Sequence, residues 1–310
     1  MTFGGPDALQ LVDIPRPEPG PGEVRIRVHA AAVNPTDATF RSGNGQARLL
    51  GDRPPPFVPG MDAAGIIDKV GPDNTSRLAV GDRVVALILP AGPHGGAYAD
   101  EVVAPSASVV HAPAGHDLFE ASTLLLNALT ARVALDTLNL SAGQTLAVTG
   151  AAGALGGFTL QLAKTQGLRV IADSPSDDED LVRALGADSI VPRGDDIARS
   201  IRAAVPEGVD GLIDASNQQA QVLGAIADGG GLAELVGWTG PAERGITLHN
   251  IVGPSAARDT HLLERLRDQA EAGTLTLRVA GVMPGNKAPE AHRRLEARGL
   301  NGRLVLDFTT

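Results

Sequence analysis

Apolar and charged residues alternate through residues 22–30, Gly-Glu-Val-Arg-Ile-Arg-Val-His-Ala, which predicts a strand with one face in water. Residues 65–70, 83–87 and 98–103 follow a similar pattern, separated by Gly and Pro turns, so the first third of the chain reads as mostly β. From residue 119 to 138 apolar positions recur with no Gly or Pro, and a helix bridging two domains is expected there. Beyond Thr145 short apolar runs interleave with helical stretches. Strands are expected from Thr145 and at 169–173, 189–191, 209–215 and 231–238, with helices at 155–166, 177–185, 197–204 and 218–227. That order predicts an α/β fold with a parallel, doubly wound sheet. Residues 245–252 would add an edge strand, 261–272 a helix and 303–308 a closing strand.

The sharpest local signal is Thr-Leu-Ala-Val-Thr-Gly-Ala-Ala-Gly-Ala-Leu-Gly-Gly at 145–157, where an apolar run breaks into glycines and then turns helical. Gly150, Gly153 and Gly156 have the spacing at which missing Cβ atoms permit a tight turn, close approach to a pyrophosphate and close helix-on-strand packing. The backbone of Gly150, Ala151, Ala152, Gly153, Ala154, Leu155 and Gly156 is therefore the candidate cradle, with amides at a helix N-terminus facing the anion. Asp173 ends the next strand about 23 positions after Gly150, near the usual place of an acid that takes a ribose 2′-hydroxyl. Taken alone, that acid favours NADH.

Composition removes several alternatives. The 310 residues suggest about two domains. A net charge of −10 without any basic stripe argues against nucleic acid. No uninterrupted apolar run approaches a membrane span and the first residues lack a signal pattern, so a cytoplasmic protein with no membrane partner is expected. There are no cysteines, which excludes thiolate nucleophiles and thiolate zinc sites, and the seven histidines form no His-Glu-x-x-His pairing. No metal site is predicted.

Other motifs recur in a definite order: Asn34-Pro-Thr-Asp37, Pro59-Gly-Met-Asp-Ala-Ala-Gly65, Val70-Gly71, Gly81-Asp-Arg-Val84, Gly96-Ala-Tyr-Ala99, Leu129-Thr-Ala131, Leu185-Gly-Ala187 and Asn301-Gly-Arg-Leu-Val-Leu306. Over nearly its whole length the chain resembles the zinc-independent quinone oxidoreductase branch of the medium-chain dehydrogenase/reductase superfamily. The resemblance implies a GroES-like catalytic domain from residues 1–115 and 253–310, with a Rossmann dinucleotide-binding domain, residues 116–252, inserted in it. The active site would lie in the cleft between them. Zinc-dependent relatives carry a cysteine near Asn34 and a His-Glu pair where this chain has Met61-Asp62, so the resemblance implies no zinc.

It further implies hydride transfer from NAD(P)H to a quinone or an α,β-unsaturated carbonyl, small molecules whose conjugation already makes a carbon electrophilic. The alternatives are an enoyl reductase of a biosynthetic pathway, or a non-catalytic nucleotide-binding redox sensor or structural protein. Asn34 and Thr130 would sit near the nicotinamide with Asp37 behind them, and Tyr98, the only tyrosine, is the candidate proton donor unless solvent supplies the proton. A capped turn is the alternative reading of Asn34-Pro-Thr-Asp37, weighed below the functional one. Aromatics that many relatives carry are absent: Asn44-Gly45 and Arg132 stand in their places. Relatives also usually begin with a short strand before the Phe3-Gly-Gly-Pro6 segment, which here follows Met1 almost directly, so either an edge strand has been lost or the recorded start is late. The family register puts Ser174 at the ribose-reading position, and Val236 and Gly237 complete the cofactor-binding set. NADPH is expected on the resemblance, with NADH as the alternative, and acids at 177–180 weigh against a 2′-phosphate. Residues 245–252 match a segment through which relatives form a homodimer.

Overall fold

The computed structural model describes residues 2–73, 77–241 and 243–309. Along the chain, β1 (Glu23–Ala32) leads into α1 (Pro35–Arg41), followed by β2 (Asp62–Val70), β3 (Arg83–Leu87), β4 (Glu101–Pro105) and β5 (Val109–His111). Helices α2 (Leu118–Ala121) and α3 (Leu125–Leu138) come next, and then β6 (Thr145–Thr149), α4 (Ala154–Thr165), β7 (Arg169–Ser174), α5 (Glu179–Ala184) and β8 (Ser189–Pro192). The remainder is α6 (Ile197–Ala204), β9 (Val209–Asp214), β10 (Ile226–Glu234), β11 (Thr247–Asn250), α7 (Thr260–Glu271), β12 (Val279–Pro284), α8 (Ala288–Glu296) and β13 (Arg303–Asp307). These elements form two compact units, Met1–Leu126 with Ala256–Thr310, and Asn127–Ser255.

The first unit holds a seven-stranded sheet in the order β12-β13-β1-β2-β3-β5, with β4 also paired to β1. Strand β1 is antiparallel to its partners β13, β2 and β4, whereas β12 and β13 run parallel. Val24, Ile26 and Val28 point into the core with Ile67, Val84 and Val102, as the period-2 pattern requires. The charged face of β1 is not uniformly wet. Arg25 is 4% exposed because its guanidinium is forked onto Asp68 and bonded to Glu18.

The second unit carries a six-stranded parallel sheet, order β11-β10-β9-β6-β7-β8, with β11 at one edge. All five residues of β6 are buried, as strands covered on both faces should be. Parallel pairing brings the carboxyl ends of β6, β7 and β8 to one edge, where open α/β sheets bind ligands.

Several elements differ from the sequence reading. The helix expected at 119–138 breaks into α2 and α3, because the Ser122 and Thr123 hydroxyls bond back to the carbonyls of Phe119 and Glu120 at the break. The helix expected at 218–227 is a 3₁₀ segment, Gln219–Ala225, and β10 starts at Ile226, well before Gly231. Asn217 and Gln219 both have positive φ, and Asp214 Oδ2 takes the Gln219 amide, which starts the segment as a turn. Glycines let β10 approach β9: a Cβ on Gly230 would lie 2.8 Å from the Asp210 carbonyl oxygen. The strand expected at 98–103 begins at Glu101, since the amides of Ala97 and Tyr98 bond Gly60 and Pro59 instead. Helices α1 and α8 and strand β12 had no counterpart in the reading. Leu118–Leu138 is long and apolar enough to cross a membrane by composition, but 72% of that window is buried inside the protein, as in a core helix.

Candidate nucleotide turn and buried polar cluster

The glycine turn sits at the carboxyl end of β6. Gly150 has φ +70°, a conformation that disfavours side chains, and Gly153 is the residue that opens α4. A Cβ on Gly156 would fall 2.3 Å from the Gly150 carbonyl oxygen and 2.7 Å from the Ala151 Cα. Ala151, Ala152, Ala154 and Leu155 complete the turn, Ala151 and Ala152 being buried, and the 12-residue helix behind it supplies the positive end of a dipole. These residues fit a dinucleotide pyrophosphate.

At the end of β7, Asp173 is 1% exposed and turned toward this turn: Oδ1 accepts from the Ala151 amide at 3.2 Å, and Oδ2 accepts from Arg193 Nε at 2.9 Å. The Ser174 hydroxyl donates to the Pro175 carbonyl at 2.8 Å and is also buried. Neither residue presents an unengaged polar group of the kind expected of a ribose reader. Arg193, which the sequence reading passed over, follows β8 directly.

At the end of β10, Glu234 is 1% exposed and its carboxylate accepts from the amides of Val236 (2.9 Å), Gly237 (3.0 Å) and Trp238 (3.0 Å). The amides of Val236 and Gly237 thus have an internal anion, and Glu234 shapes this loop. Thr130, on α3, packs against Gly253, where a Cβ would lie 2.1 Å from its Oγ1.

In the first unit the structure brings Asn34, Asp37 and Tyr98 together, with partners no motif announced. Asn34 is 1% exposed, and its Nδ2 donates to Asp62 Oδ2 at 2.9 Å while its backbone amide donates to Asp37 Oδ2 at 2.8 Å. Asp62 Oδ1 accepts from the Leu126 amide at 2.9 Å, which satisfies a donor in the first turn of α3. Burial pushes the Asp62 carboxyl up to about 6 and the Asp37 carboxyl up to about 7, against the Asn34 hydrogen bonds and the charge of Arg303. Asp37 Oδ1 is buried without a hydrogen-bond partner among the described residues.

Tyr98 Oη lies 3.2 Å from both Asp37 Oδ2 and His292 Nε2, and His292 Nδ1 lies 2.8 Å from Arg41 Nη1. Arginine only donates, so Nδ1 of His292 accepts, Nε2 carries the hydrogen and points it at Tyr98, and Tyr98 directs its own to Asp37. Burial and the nearby Arg41 lower the His292 pKa to about 3, consistent with a neutral ring. Burial and Asp37 hold the Tyr98 phenol well above its ordinary range. The hydroxyl named as a proton donor is thus aimed into a scaffold that ties α1 to α8.

The groups around Met61 and Asp62 are poor zinc ligands. Met61 is a thioether, both oxygens of Asp62 are engaged, and among the described residues no group of three or more His, Asp and Glu could hold a metal ion. A lone histidine in an amphipathic helix such as α8, or an arginine one residue past a strand, gives no spacing signal; only the folded chain shows their partners.

Comparison with known proteins accords with this geometry. Residues 20–114 match the alcohol dehydrogenase GroES-like domain family, and residues 154–257 match the zinc-binding dehydrogenase family. The chain is similar to a quinone oxidoreductase of Sus scrofa, 29% identical over 98% of this chain and 95% of that protein. It is also similar to the chloroplastic NADPH-dependent alkenal/one oxidoreductase of Arabidopsis thaliana, 31% identical over 98% of this chain and 77% of that protein. Among solved structures, an NAD-dependent alcohol dehydrogenase superposes with a TM-score of 0.87 at 31% identity, covering 99% of this chain and 97% of that one. With the glycine turn on a parallel sheet and the GroES-like sheet both in place, the chain belongs to the quinone oxidoreductase branch of the medium-chain dehydrogenase/reductase superfamily.

Proposed function

We propose that this protein is an oxidoreductase that passes a hydride from a nicotinamide dinucleotide to a quinone or an α,β-unsaturated carbonyl without a metal. The observation that carries the reading is the turn at Gly150 to Gly156, closed to any side chain by the 2.3 Å approach of a Gly156 Cβ to the Gly150 carbonyl oxygen. The relatives named for quinone and alkenal/one reduction support the acceptor class. So does the donor set around Met61-Asp62, a thioether and an engaged carboxyl that are poor ligands for a Lewis-acidic metal.

The bound dinucleotide supplies the hydride; the chain binds and orients. Backbone amides of the turn hold the pyrophosphate, and Thr130 and Asn34 are the proposed residues of the nicotinamide side. Asp37 and Tyr98 act as supports for Asn34 and α1, because the Tyr98 proton is directed to Asp37. Solvent then provides the proton that completes the reduced product. The edge strand β11 is the proposed contact of a homodimer.

The test is steady-state oxidation of NADPH and NADH, followed by nicotinamide absorbance, across a panel of quinones and enones. Acceptor-dependent oxidation is expected, and Tyr98→Phe should retain it. If a dinucleotide binds but no acceptor speeds its oxidation, the protein is a nucleotide-binding protein without this activity. Stoichiometric zinc, with activity lost on chelation, would overturn the metal-free chemistry.

A further inference from the structure

Asp62 opens β2 with its Cα opposite Leu87 of β3, and the Ile88 amide donates to the Met61 carbonyl at 2.7 Å, so the backbone that carries this acid is fixed. The residue is 1% exposed, and each carboxyl oxygen serves a different segment. Oδ2 accepts from Asn34 Nδ2 at 2.9 Å, at the residue that caps α1, and Oδ1 accepts from the Leu126 amide at 2.9 Å, in the first turn of α3. Both partners are donors. An ionised carboxylate accepts at both oxygens, whereas an amide must turn hydrogens toward one of the two donors and a protonated carboxyl accepts poorly at one oxygen.

We propose that Asp62 is a positioning residue for hydride transfer: its carboxylate holds the Asn34 amide in one orientation and seats the start of α3, so that loss of the charge slows turnover without a matching loss of dinucleotide affinity. This rests on the function proposed above. Three observations support it. An acceptor-only group fixes which end of the Asn34 amide turns toward it, and Nδ2 also donates to the Ala32 carbonyl at 3.3 Å, so Asn34 can meet a ligand only as an acceptor, through Oδ1. The Leu126 amide is one of the donors that a helix leaves without an intrahelical acceptor, and a negative charge at that end complements the dipole of the 14-residue α3. Thr130, the other residue proposed for the nicotinamide side, lies about one turn further along the same helix.

The charged and titratable groups that face Asp62 are Asp37 on α1, the Tyr98 phenol ahead of β4 and the Arg303 guanidinium at the start of β13. Burial raises the Asp62 carboxyl to about 6, against the bonds from Leu126 and Asn34 and the Arg303 charge. Asp37 is raised further, to about 7, and is therefore largely neutral while Asp62 titrates. The positioning carboxylate is present above about pH 6 and is lost as pH falls through that value.

Steady-state oxidation of the preferred dinucleotide with a reducible quinone or enone, between about pH 5 and 8, tests the assignment in wild type, Asp62→Asn and Asp37→Asn, with dinucleotide affinity titrated separately. Wild-type kcat should fall as pH drops through about 6. Asp62→Asn should lower kcat by about tenfold or more above pH 7 while dinucleotide Kd changes by less than about threefold, and its low-pH limb should vanish. Asp37→Asn should keep that limb. A second measurement needs neither a variant nor turnover: in NMR spectra of wild type, the Leu126 backbone amide and the Asn34 side-chain amide should shift together with a midpoint near pH 6. That measurement decides the matter if Asp62→Asn does not fold. Wild-type kcat with an unaltered limb in Asp62→Asn, equal losses of kcat and affinity, or amide signals that titrate separately or not at all, overturn the proposal. Should wild type reduce no acceptor, the function proposed above fails, and the joint titration still decides whether Asp62 clamps the two segments.

Discussion

In the Rossmann-like unit Asp173 is buried against a guanidinium and a backbone amide, whereas in the GroES-like unit Asp37 is buried against an amide, a phenol and no hydrogen bond at Oδ1. The first arrangement is an ion pair with one member half open to solvent; the second is a carboxyl that burial drives toward its neutral form, up to about 7. The difference matches two tasks. An ion pair at the edge of a sheet presents charge to solvent, whereas a carboxyl closed in with His292, Tyr98 and Asn34 holds backbone segments together. Both units therefore place conspicuous acids near the motifs, and only one of them presents charge outward.

The comparison breaks most visibly at the glycine turn. Gly156→Val adds atoms against rigid backbone, and it should lower stability by about 3 kcal/mol and abolish dinucleotide binding, measured by thermal unfolding and titration. An unchanged affinity would remove the turn from the binding site. The scaffold side is tested by His292→Ala, which opens a cavity and strips a partner from both Arg41 and Tyr98; about 2–3 kcal/mol should be lost in denaturant unfolding.

The protonation of Asp37 gives a sharper distinction. Its pKa in the folded protein, about 7, is raised above the ordinary 3.8, so the stability it contributes is fully present below about pH 4 and lost as pH rises through about 7. His292, lowered to about 3, works in the opposite direction in both proteins and cancels from their difference. Between pH 4 and 7 the stability of wild type should therefore fall by about 3 kcal/mol relative to Asp37→Asn. Parallel stability curves would show that burial does not hold the proton on Asp37. The smallest effect is expected for Glu234→Gln, which keeps the shape but loses one acceptor to the Gly237 amide: about 1 kcal/mol, with faster hydrogen exchange at Val236 to Trp238.

Much of the fold was legible in the chain. Helix 197–204 coincides with α6, and the glycine spacing located a turn whose Cβ positions are closed. The losses are specific. The stretch 218–227 carries helical periodicity, but two residues with positive φ and the Asp214 carboxylate turn it into a 3₁₀ segment. Asp173 was found by its distance along the chain, and its salt bridge was not, because Arg193 lies 20 residues away, just past the next strand.

The sequence alone determined where the backbone has to be bare and which periods alternate, because missing Cβ atoms and side-chain periodicity act over a few residues. It also settled the absence of thiolates. Only the tertiary structure decided what each polar side chain does. Asn34 faces Asp62, Tyr98 faces His292 and Asp173 faces Arg193, pairings 28, 194 and 20 residues apart that no local rule encodes. A buried polar group takes whichever partner the packing brings within 3 Å or so, and packing is a property of the whole unit.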